Sequence, residues 1–283
     1  MSTHAVRLPT GPMHRPWEKL ARLREIAPLV HNITNYVVMN NTANALLAIG
    51  ASPAMVHAVE EVEDFTGISG ALVINIGTLS PQWVAAMYLA AARAVAGGIP
   101  WVLDPVGAGA TRYRTDVAAA LLLLRPTVVR GNASEIMVLA GVAGAAGKGV
   151  DSAHSGTDAL AAAQHLARAS GVLVAMTGAV DYVTDGARVV ELYNGHPLMA
   201  RVTGLGCTAS ALVGAFLATG GDAMESTVAA IASLGVAGEI AAEGAAGPGT
   251  LQLRLLDTLY TLDEATLEQW ARITESPDIP DDE

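Results

Sequence analysis

The sequence predicts an α/β protein in which a mainly parallel central sheet is sandwiched between layers of helices. Short runs of β-branched and other apolar residues alternate along the chain with longer Ala- and Leu-rich stretches at helical spacing. The short runs are apolar throughout rather than at every second position, which is typical of strands buried on both faces. The repeated order of strand, helix and strand indicates a parallel sheet between helices.

Four apolar runs are predicted to be strands, at residues 71–76, 99–104, 127–130 and 172–177. The stretches around them are predicted to be helices, at residues 36–48, 81–96, 116–124, 132–140 and 157–169. After the fourth strand, turn-forming residues between 181 and 186 predict a hairpin and a small antiparallel edge. From residue 206 onward the chain is expected to be mainly helical, over 207–218, 224–243 and 251–260.

The length of 283 residues suits one large α/β domain, so residues 1–283 are expected to form a single domain. No internal repeat and no clear linker divides the chain. Two ends are expected to be flexible. These are about the first 15 residues and the acidic, proline-containing segment 276–283.

The balance of charge argues against two classes of partner. The chain has a formal net charge of −11 and contains no run of Lys or Arg. Nucleic acids and anionic membranes are bound through clustered basic side chains, so neither is an expected partner. A phosphorylated ligand is still compatible with this charge, because backbone N–H groups and helix N-termini bind anions.

Cysteine content and hydropathy indicate the cellular compartment of the protein. The one cysteine, Cys207, excludes an internal disulfide and favours a reducing compartment, so a cytoplasmic location is expected. Residues 1–19 lack the apolar segment of a secretory signal. The uncharged stretch 202–221 is predicted to be a buried core helix, because it contains too many Gly, Ser and Thr residues for a membrane span.

The residues just after each predicted strand are the first candidates for a binding site, because parallel sheets bind ligands at the carboxyl ends of their strands. Asp104 ends the strand at 99–104 and is followed by Pro105 and a Gly-rich turn. Three interpretations stay open for this carboxylate. It binds Mg²⁺ through water, it accepts a proton, or it only forms an Asp-Pro turn.

Two further strand ends carry polar residues with open interpretations. Asn132 and Glu135 have the spacing of a helix N-cap and its capping box. In the functional interpretation, Glu135 faces a Mg²⁺–triphosphate and Arg130 clamps a phosphate through two N–H groups. Thr177 is either a hydroxyl donor to a nucleotide phosphate or an ordinary turn residue.

Amide side chains are concentrated between His31 and Asn44, and they include Asn35. They indicate a site for a small uncharged polar ligand, or else a set of helix caps and turn anchors. This segment is followed closely by the motif GASPAM, which ends at Met55.

The sharpest pattern is Gly204-Leu205-Gly206-Cys207, directly before a long helix of small residues. Two glycines at a positive helix end allow successive N–H groups to converge on an anion, so the pattern predicts an anion hole. Cys207 then lies in the first helical turn, where the helix dipole is expected to lower the pKa of its thiol. The alternative is a buried small residue where a Gly-rich helix starts.

Taken together, eight ordered motifs resemble those of the hydroxyethylthiazole kinase family, in the ribokinase-like superfamily. The resemblance runs from about Leu29 to Tyr260. The motifs are VHNITNYVV at 30–38, GASPAM at 50–55, INIGTLS at 74–80, DPVGAGA at 104–110, RGNASE at 130–135, GKGVDS at 147–152, YNGH at 193–196 and VTGLGC at 202–207.

The resemblance implies a ribokinase-like fold and a homotrimer with active sites at subunit interfaces. It also implies ATP- and Mg²⁺-dependent phosphorylation of the primary alcohol of 4-methyl-5-(2-hydroxyethyl)thiazole. By this resemblance the thiazole is contacted by Met55 and the Gly204 backbone, with Asn35 near it. ATP is bound by Arg130 and Thr177, Mg²⁺ and its waters are held by Asp104 and Glu135, and the substrate hydroxyl lies beside Cys207.

The resemblance leaves the general base open, because many superfamily relatives carry Asp where this chain has Cys207. Either the thiol is a weak base or Asp104 has that role. Leu205 is a minor variation within the anion-hole motif, one that keeps the backbone N–H groups available. The alternative functions are a hydroxymethylpyrimidine or pyridoxal kinase, a ribokinase-like ADP- or ATP-dependent NAD(P)H-hydrate dehydratase, and a non-catalytic binding module.

Overall fold

The computed structural model describes residues 14–143 and 156–276. The expected flexibility of the two ends concerns residues that lie mostly outside these ranges, at 1–13 and 277–283, and so does the motif at 147–152. Two residues assigned to the flexible ends are part of the fold instead. Arg15 directly precedes the first helix, and Ser276 ends the last strand.

Strands and helices alternate from the first strand to the sixth, and helices dominate the later part of the chain. The strands are β1 (Leu29–Ile33), β2 (Ser52–Met55), β3 (Ala71–Asn75), β4 (Trp101–Asp104), β5 (Val128–Asn132), β6 (Leu173–Thr177), β7 (Asp181–Thr184), β8 (Val189–Leu192) and β9 (Ile273–Ser276). The helices are α1 (Pro16–Ile26), α2 (Met39–Ile49), α3 (Val62–Ile68), α4 (Pro81–Gly97), α5 (Arg112–Leu122), α6 (Ala133–Ala143), α7 (Gly156–Ser170), α8 (Leu205–Leu217), α9 (Ala223–Ala242), α10 (Pro248–Thr261) and α11 (Glu264–Trp270). A short 3₁₀ helix covers Pro197–Arg201.

All these strands join one sheet, in the order β2-β1-β3-β4-β5-β6-β7-β8-β9. Strands β1 to β6 pair in parallel, and β7, β8 and β9 extend the sheet with antiparallel pairs. The predicted α/β class with a mainly parallel sheet is therefore confirmed, and so is an antiparallel edge after β6. Residues 181–184, expected in the hairpin turn, instead form strand β7 itself.

The sheet lies between two hydrophobic cores, and consecutive residues of one strand enter opposite cores. In β3, Val73 packs into the core formed with α1, α2, α8, α9 and α10, whereas Leu72 and Ile74 belong to the core formed with α3, α4, α5, α6 and α7. This double burial explains why the strand runs are apolar at every position.

Strand β1 differs from the sequence prediction, which contained no strand there, because His31 and Asn32 interrupt its apolar pattern. Both side chains are buried. The two ring nitrogens of His31 lie within hydrogen-bond distance of Thr66 Oγ1, at 3.0 Å, and the Val56 carbonyl oxygen, at 2.8 Å. Because these partners satisfy the ring, a polar residue is tolerated inside a buried strand.

Several helices begin at positions other than those predicted, and α2 and α5 show the physical reason. Helix α2 starts at Met39 rather than at residue 36, because the Asn35 side-chain oxygen accepts a hydrogen bond from Val37 N (3.1 Å) and forms a turn first. Helix α5 starts earlier than predicted, at Arg112, because the Thr111 side chain caps it by accepting from Arg114 N.

The apolar helices of the C-terminal half are buried parts of the fold. Helix α8, within the uncharged stretch, has 13 residues, nearly all of them buried beyond its first turn. Within the described residues, α9 is long and apolar enough to cross a membrane by length and composition alone, but 78% of its most apolar window is buried inside the structure. Such burial is typical of a core helix in a globular protein.

Candidate active site

The carboxyl ends of the parallel strands bring together most of the predicted site residues. In the register of the sheet, Asn75 at the end of β3 pairs with Asp104 at the end of β4. Asn132 at the end of β5 likewise pairs with Thr177 at the end of β6. The strand ends therefore form one continuous polar edge, where an α/β fold is expected to bind ligands.

Asp104 lies at the centre of this edge and is almost completely buried. One carboxylate oxygen, Oδ2, accepts hydrogen bonds from Asn75 Nδ2 and Ser210 Oγ, both at 2.7 Å. The other oxygen, Oδ1, is buried and has no hydrogen-bond partner among the described residues. Burial raises the pKa of the Asp104 carboxyl to about 6, against the opposing charge of Arg130. Near neutral pH this group is mostly ionised and has one oxygen free to accept a proton.

Two amide side chains connect Asp104 to Cys207. Asn35 Nδ2 donates to Asn75 Oδ1 at 2.9 Å and to Cys207 Sγ at 3.4 Å, and Asn75 in turn donates to Asp104. Asn35 and Cys207 are therefore placed in the same cluster as Asp104. Sequence reasoning gave no role to Asn75 or to Ser210, although Asn75 lies within one of the eight motifs. Ser210 is three residues after Cys207, so helical spacing alone puts it on the same face of α8.

The expected activation of Cys207 by the helix dipole is wrong. Burial, together with the negative charge of Asp104, raises the pKa of the Cys207 thiol to about 11. These effects outweigh the hydrogen bonds from Asn35 and Asn75 and the charge of Arg130, which act in the opposite direction. The thiol is therefore protonated at neutral pH and is a poor proton acceptor.

Arg130 lies between Thr177, which is predicted to bind ATP, and the predicted anion hole. Its guanidinium is buried, donates to Thr177 Oγ1 through Nη2, and leaves Nε without a partner among the described residues. A Cβ atom on Gly206 would lie only 2.8 Å from Arg130 Nη1. The guanidinium therefore lies directly against the segment Gly204–Cys207, where a positive charge and backbone N–H groups can face one anion.

The predicted anion hole is the first turn of α8. Gly204 has a left-handed φ of 79°, and a Cβ atom there would lie 2.3 Å from Val38 Cγ1. The first helical hydrogen bond runs from Thr208 N to the Gly204 carbonyl oxygen (2.9 Å). The amides of Leu205, Gly206 and Cys207 precede that bond, in a turn whose N–H groups have no intrahelical acceptors. This geometry is that of an anion-binding helix N-terminus.

Glu135 forms the predicted capping box and also reaches the turn that follows Asp104. Its Oε2 accepts from Asn132 N and Asn132 Oδ1 accepts from Glu135 N, both at 2.9 Å, so the capping box is formed. Its Oε1 accepts from Gly107 N at 2.9 Å, in the turn that follows Asp104. The negative charge of Glu135 is close enough to raise the pKa of Asp104. Two carboxylates thus lie in one part of the site.

No group of three or more His, Cys, Asp or Glu side chains suited to a metal ion occurs within residues 14–143 and 156–276. Any cation bound beside Asp104 and Glu135 would take its other ligands from water or from a bound ligand.

Met55 and Thr177 lie towards opposite ends of the polar edge. It ends β2, the edge strand next to β1, and is only half-buried. Strands β2 and β6 are five strand spacings apart, which is about 24 Å at about 4.8 Å each. Asp104 on β4 lies between them, so the edge has room for two ligands that meet near the middle.

Comparison with known proteins identifies the family. The family model described as "Hydroxyethylthiazole kinase family" matches residues 20–265. The chain belongs to this family. Two curated relatives named hydroxyethylthiazole kinase agree. One, from Granulibacter bethesdensis, is 58% identical over 253 residues, which are 89% of this chain and 92% of the relative. The other, from Cereibacter sphaeroides, is 56% identical over 254 residues, which are 90% and 96% of the two chains.

Solved structures of family members and of more distant kinases share the fold. The hydroxyethylthiazole kinase of Pyrococcus horikoshii superposes with a TM-score of 0.87 at 45% identity, over 93% of this chain and all of its own. A pyridoxal kinase from Staphylococcus aureus, solved with AMP-PCP, superposes with a TM-score of 0.64 at 17% identity, over 88% of this chain and 99% of its own. At that identity the second likeness concerns the fold alone. The predicted ribokinase-like fold and the predicted membership of the thiazole kinase family are confirmed.

Proposed function

We propose that this member of the hydroxyethylthiazole kinase family transfers the γ-phosphoryl group of ATP to the primary hydroxyl of 4-methyl-5-(2-hydroxyethyl)thiazole, a step of thiamine salvage. The observation that carries the proposal is one connected cluster at the middle of the polar edge. In it, buried Asp104 is linked through its Oδ2 and two amides to Cys207, whose helix turn faces Arg130, while its Oδ1 has no partner among the described residues.

The cluster suits the chemistry of phosphoryl transfer. The substrate hydroxyl oxygen attacks the γ-phosphorus, the bond from that phosphorus to its bridging oxygen breaks, and ADP leaves. The transition state is loose, so catalysis depends mainly on positioning and on neutralising the charge of the phosphoryl oxygens. The N–H groups of Leu205, Gly206 and Cys207 supply hydrogen bonds to those oxygens, and Arg130 supplies a positive charge.

The proton of the substrate hydroxyl goes to Asp104 Oδ1 in this proposal. That oxygen is free of partners, and a pKa of about 6 leaves the carboxylate mostly ionised at neutral pH. Cys207 is disfavoured as the base by its raised pKa. Its Sγ instead accepts a hydrogen bond from Asn35 and helps to shape the pocket for the hydroxyl.

Magnesium fits the donors that the chain offers. Asp104 and Glu135 are carboxylates, the hard oxygen ligands that Mg²⁺ prefers, and Asp104 Oδ1 is a buried oxygen without a partner. We propose that these two residues hold Mg²⁺, partly through water, with Asp104 acting through a water molecule so that its Oδ1 keeps a lone pair for the substrate proton. When bound, the ion offsets the negative charge of the triphosphate.

The two ligands are assigned to opposite sides of Asp104. Met55, Asn35 and the Gly204 backbone are proposed to contact the thiazole. Arg130 and Thr177 are proposed to bind ATP, with support from the direct hydrogen bond between them.

The remaining proposals concern the assembly and its surroundings. A homotrimer with active sites at subunit interfaces is supported by Tyr36 and Val37, two large apolar side chains that are 67% and 62% exposed directly beside Asn35. A cytoplasmic location is supported by the free thiol of Cys207. We also propose that residues 1–283 form a single domain. Its proposed partners are small molecules rather than nucleic acid or membrane.

A substrate panel tests the proposed function. Purified protein is incubated with ATP and Mg²⁺ and either hydroxyethylthiazole, hydroxymethylpyrimidine, pyridoxal or hydrated NADH, and ADP, inorganic phosphate and the organic products are measured. ADP formation that depends on the thiazole, with a phosphate monoester as product, is the expected result. Turnover of the pyrimidine or pyridoxal alone would favour a related kinase. Inorganic phosphate released with hydrated NADH would favour a dehydratase, and ATP binding without any turnover would favour a binding module.

Replacing Cys207 with alanine is expected to reduce kcat by less than the roughly 10²- to 10⁴-fold typical of a lost general base. The thiol is protonated at neutral pH, and a loose transition state removes the hydroxyl proton late. Steady-state kinetics of Cys207→Ala check this, with Cys207→Ser as the variant that keeps a hydrogen-bond acceptor for Asn35. An inactive Cys207→Ala enzyme that still binds ATP and thiazole would overturn the assignment of the base to Asp104.

The rate is also expected to depend on pH through Asp104. Only the ionised carboxylate accepts a proton, so kcat should be level above about pH 6 and should fall in more acidic solution. A bound Mg²⁺ favours the ionised carboxylate and moves that fall to a lower pH. A thiol base would instead make the rate climb towards pH 11. Profiles of kcat against pH at saturating ATP, for the wild type and Cys207→Ala, distinguish the carboxylate base from the thiol base. The two profiles should coincide in shape, and an alkaline rise present only in the wild type would contradict the proposal.

A further inference from the structure

Arg114 is a charged residue that the mechanism above does not use, and it lies beneath two loops of the active site. Its Nη1 donates to the carbonyl oxygens of Ile76 (2.8 Å) and Val106 (2.9 Å), and its Nη2 donates to the carbonyl oxygen of Gly77 (2.8 Å). One guanidinium therefore ties the loop after β3 to the loop after β4.

The loop after β3 is in direct contact with the catalytic cluster. Gly77 N donates to Asn75 Oδ1 at 2.9 Å, and a Cβ atom on Gly77 would lie 2.6 Å from Asn35 Nδ2. Ile76 N donates to the Asp104 carbonyl oxygen at 3.2 Å. Any shift of the backbone at residues 76–77 would therefore move the amides that link Asp104 to Cys207.

The loop after β4 follows Asp104 directly and is held from two sides. Glu135 accepts from Gly107 N, and Arg114 donates to the neighbouring Val106 carbonyl oxygen. Gly107 has a left-handed φ of 73°, and a Cβ atom there would lie 3.3 Å from Arg114 Cδ. The turn is thus packed closely onto the arginine stem.

Arg114 is itself fixed on a rigid element. It lies in the first turn of α5, where its backbone N donates to the capping side chain of Thr111 at 3.3 Å. A planar guanidinium presents its donors in a fixed fork, so it can hold three carbonyl groups at set directions. A lysine ammonium in its place could keep the charge but not that geometry.

We propose that Arg114 is a positioning residue for phosphoryl transfer, which sets the relative position of Asn75 and Asp104 by fastening the loops that follow them. The inference rests on the proposed kinase function. It predicts an effect on the chemical step rather than on ATP binding, because Arg114 contacts the loops and not the residues assigned to ATP.

Three variants test this role, namely Arg114→Lys, Arg114→Ala and the control Arg112→Ala. Arg112 lies in the same turn of α5, but its side chain is 94% exposed and pairs only with Asp116. Misplacing a catalytic group by about 1 Å costs about 10²-fold in rate, so both Arg114 variants should lose about that much kcat. The KM for ATP should stay close to that of the wild type, and Arg112→Ala should behave as the wild type.

Chemical rescue separates positioning from a merely structural role. Millimolar guanidinium chloride should restore part of the kcat of Arg114→Ala, whereas sodium chloride and methylammonium chloride at the same concentration should not. Unchanged kcat in Arg114→Lys, or a loss in KM alone, would overturn the inference while leaving the kinase function in place. If Arg114→Ala fails to fold, the kcat and KM of Arg114→Lys still test the positioning role of Arg114. A wild type that does not phosphorylate the thiazole would overturn the proposed function first and this inference with it.

Discussion

Replacing Asp104 with asparagine is expected to lower kcat by about 10²- to 10⁴-fold, as for the loss of a general base. Asparagine has the same shape, and its side-chain oxygen can still accept from Asn75 and Ser210, which both bond to Oδ2 in the wild type. The amide cannot take a proton from the substrate hydroxyl, and it is a weaker ligand for a hard cation. Steady-state kinetics measure the loss, and Asp116→Asn, on an exposed part of α5, is the matched control.

The same variant is expected to be at least as stable as the wild type at pH 7. Burial raises the pKa of Asp104 to about 6, above the ordinary value of 3.8, so the folded state binds the proton more tightly than the unfolded state. The ionised carboxylate therefore costs stability above pH 6, and this cost disappears as the pH falls from about 6 towards 3.8. Thermal unfolding at pH 7 and pH 5 checks the sign. An Asp104→Asn protein that unfolds much earlier at pH 7 would show that its inactivity reflects lost structure.

Replacing Gly204 with alanine is expected to reduce kcat by about 10²- to 10³-fold, the cost of losing one donor of an oxyanion hole. The new Cβ would lie 2.3 Å from Val38 Cγ1, and the left-handed φ of 79° adds strain of about 1–2 kcal/mol for any L-residue. The loop must shift to relieve that contact, which turns the N–H groups of Leu205 and Gly206 away from the phosphoryl position. Kinetics with saturating ATP and thiazole measure the effect.

Two further variants show that the effect comes from this contact. Gly249→Ala is the matched control, because a Cβ atom at that helical position of α10 meets nothing within 4 Å. Adding Val38→Ala to Gly204→Ala removes the closest atom, so the double variant should recover part of the lost kcat. A Gly204→Ala enzyme with wild-type kcat would contradict the assignment of the anion hole.

Much of the fold follows from the sequence because the strands of a doubly covered sheet are apolar at every position. Runs such as those of β3 and β6 are recognisable for this reason, and their bounds agree closely with the prediction. Strand β1 was missed because His31 and Asn32 interrupt its apolar pattern, and the partners that satisfy the buried His31 ring, Thr66 and Val56, lie far away in the sequence. The start of α2 was misplaced because an Asn35 turn competes with the helix.

Candidate site residues could be proposed where the local pattern has a mechanism. Gly204 and Gly206 were proposed as parts of an anion hole, and at both positions a Cβ atom would meet a neighbouring side chain at less than 3 Å. Asn75 and Ser210 were not found, because an Asn after a strand and a Ser in a helix are common in ordinary structure. The direction of the Cys207 pKa was wrong because the dipole argument considered the helix alone. The burial of the thiol and the charge of Asp104 come from other elements of the fold.

The measurement that tests the central claim most directly follows the phosphoryl group itself. The protein is incubated with Mg²⁺ and ATP whose γ-phosphate carries ¹⁸O, with and without hydroxyethylthiazole, and the products are analysed by mass spectrometry. The account predicts ADP only when the thiazole is present, together with a thiazole phosphate that carries three heavy oxygens and an unlabelled ester oxygen. Labelled inorganic phosphate with an unmodified thiazole alcohol would contradict it.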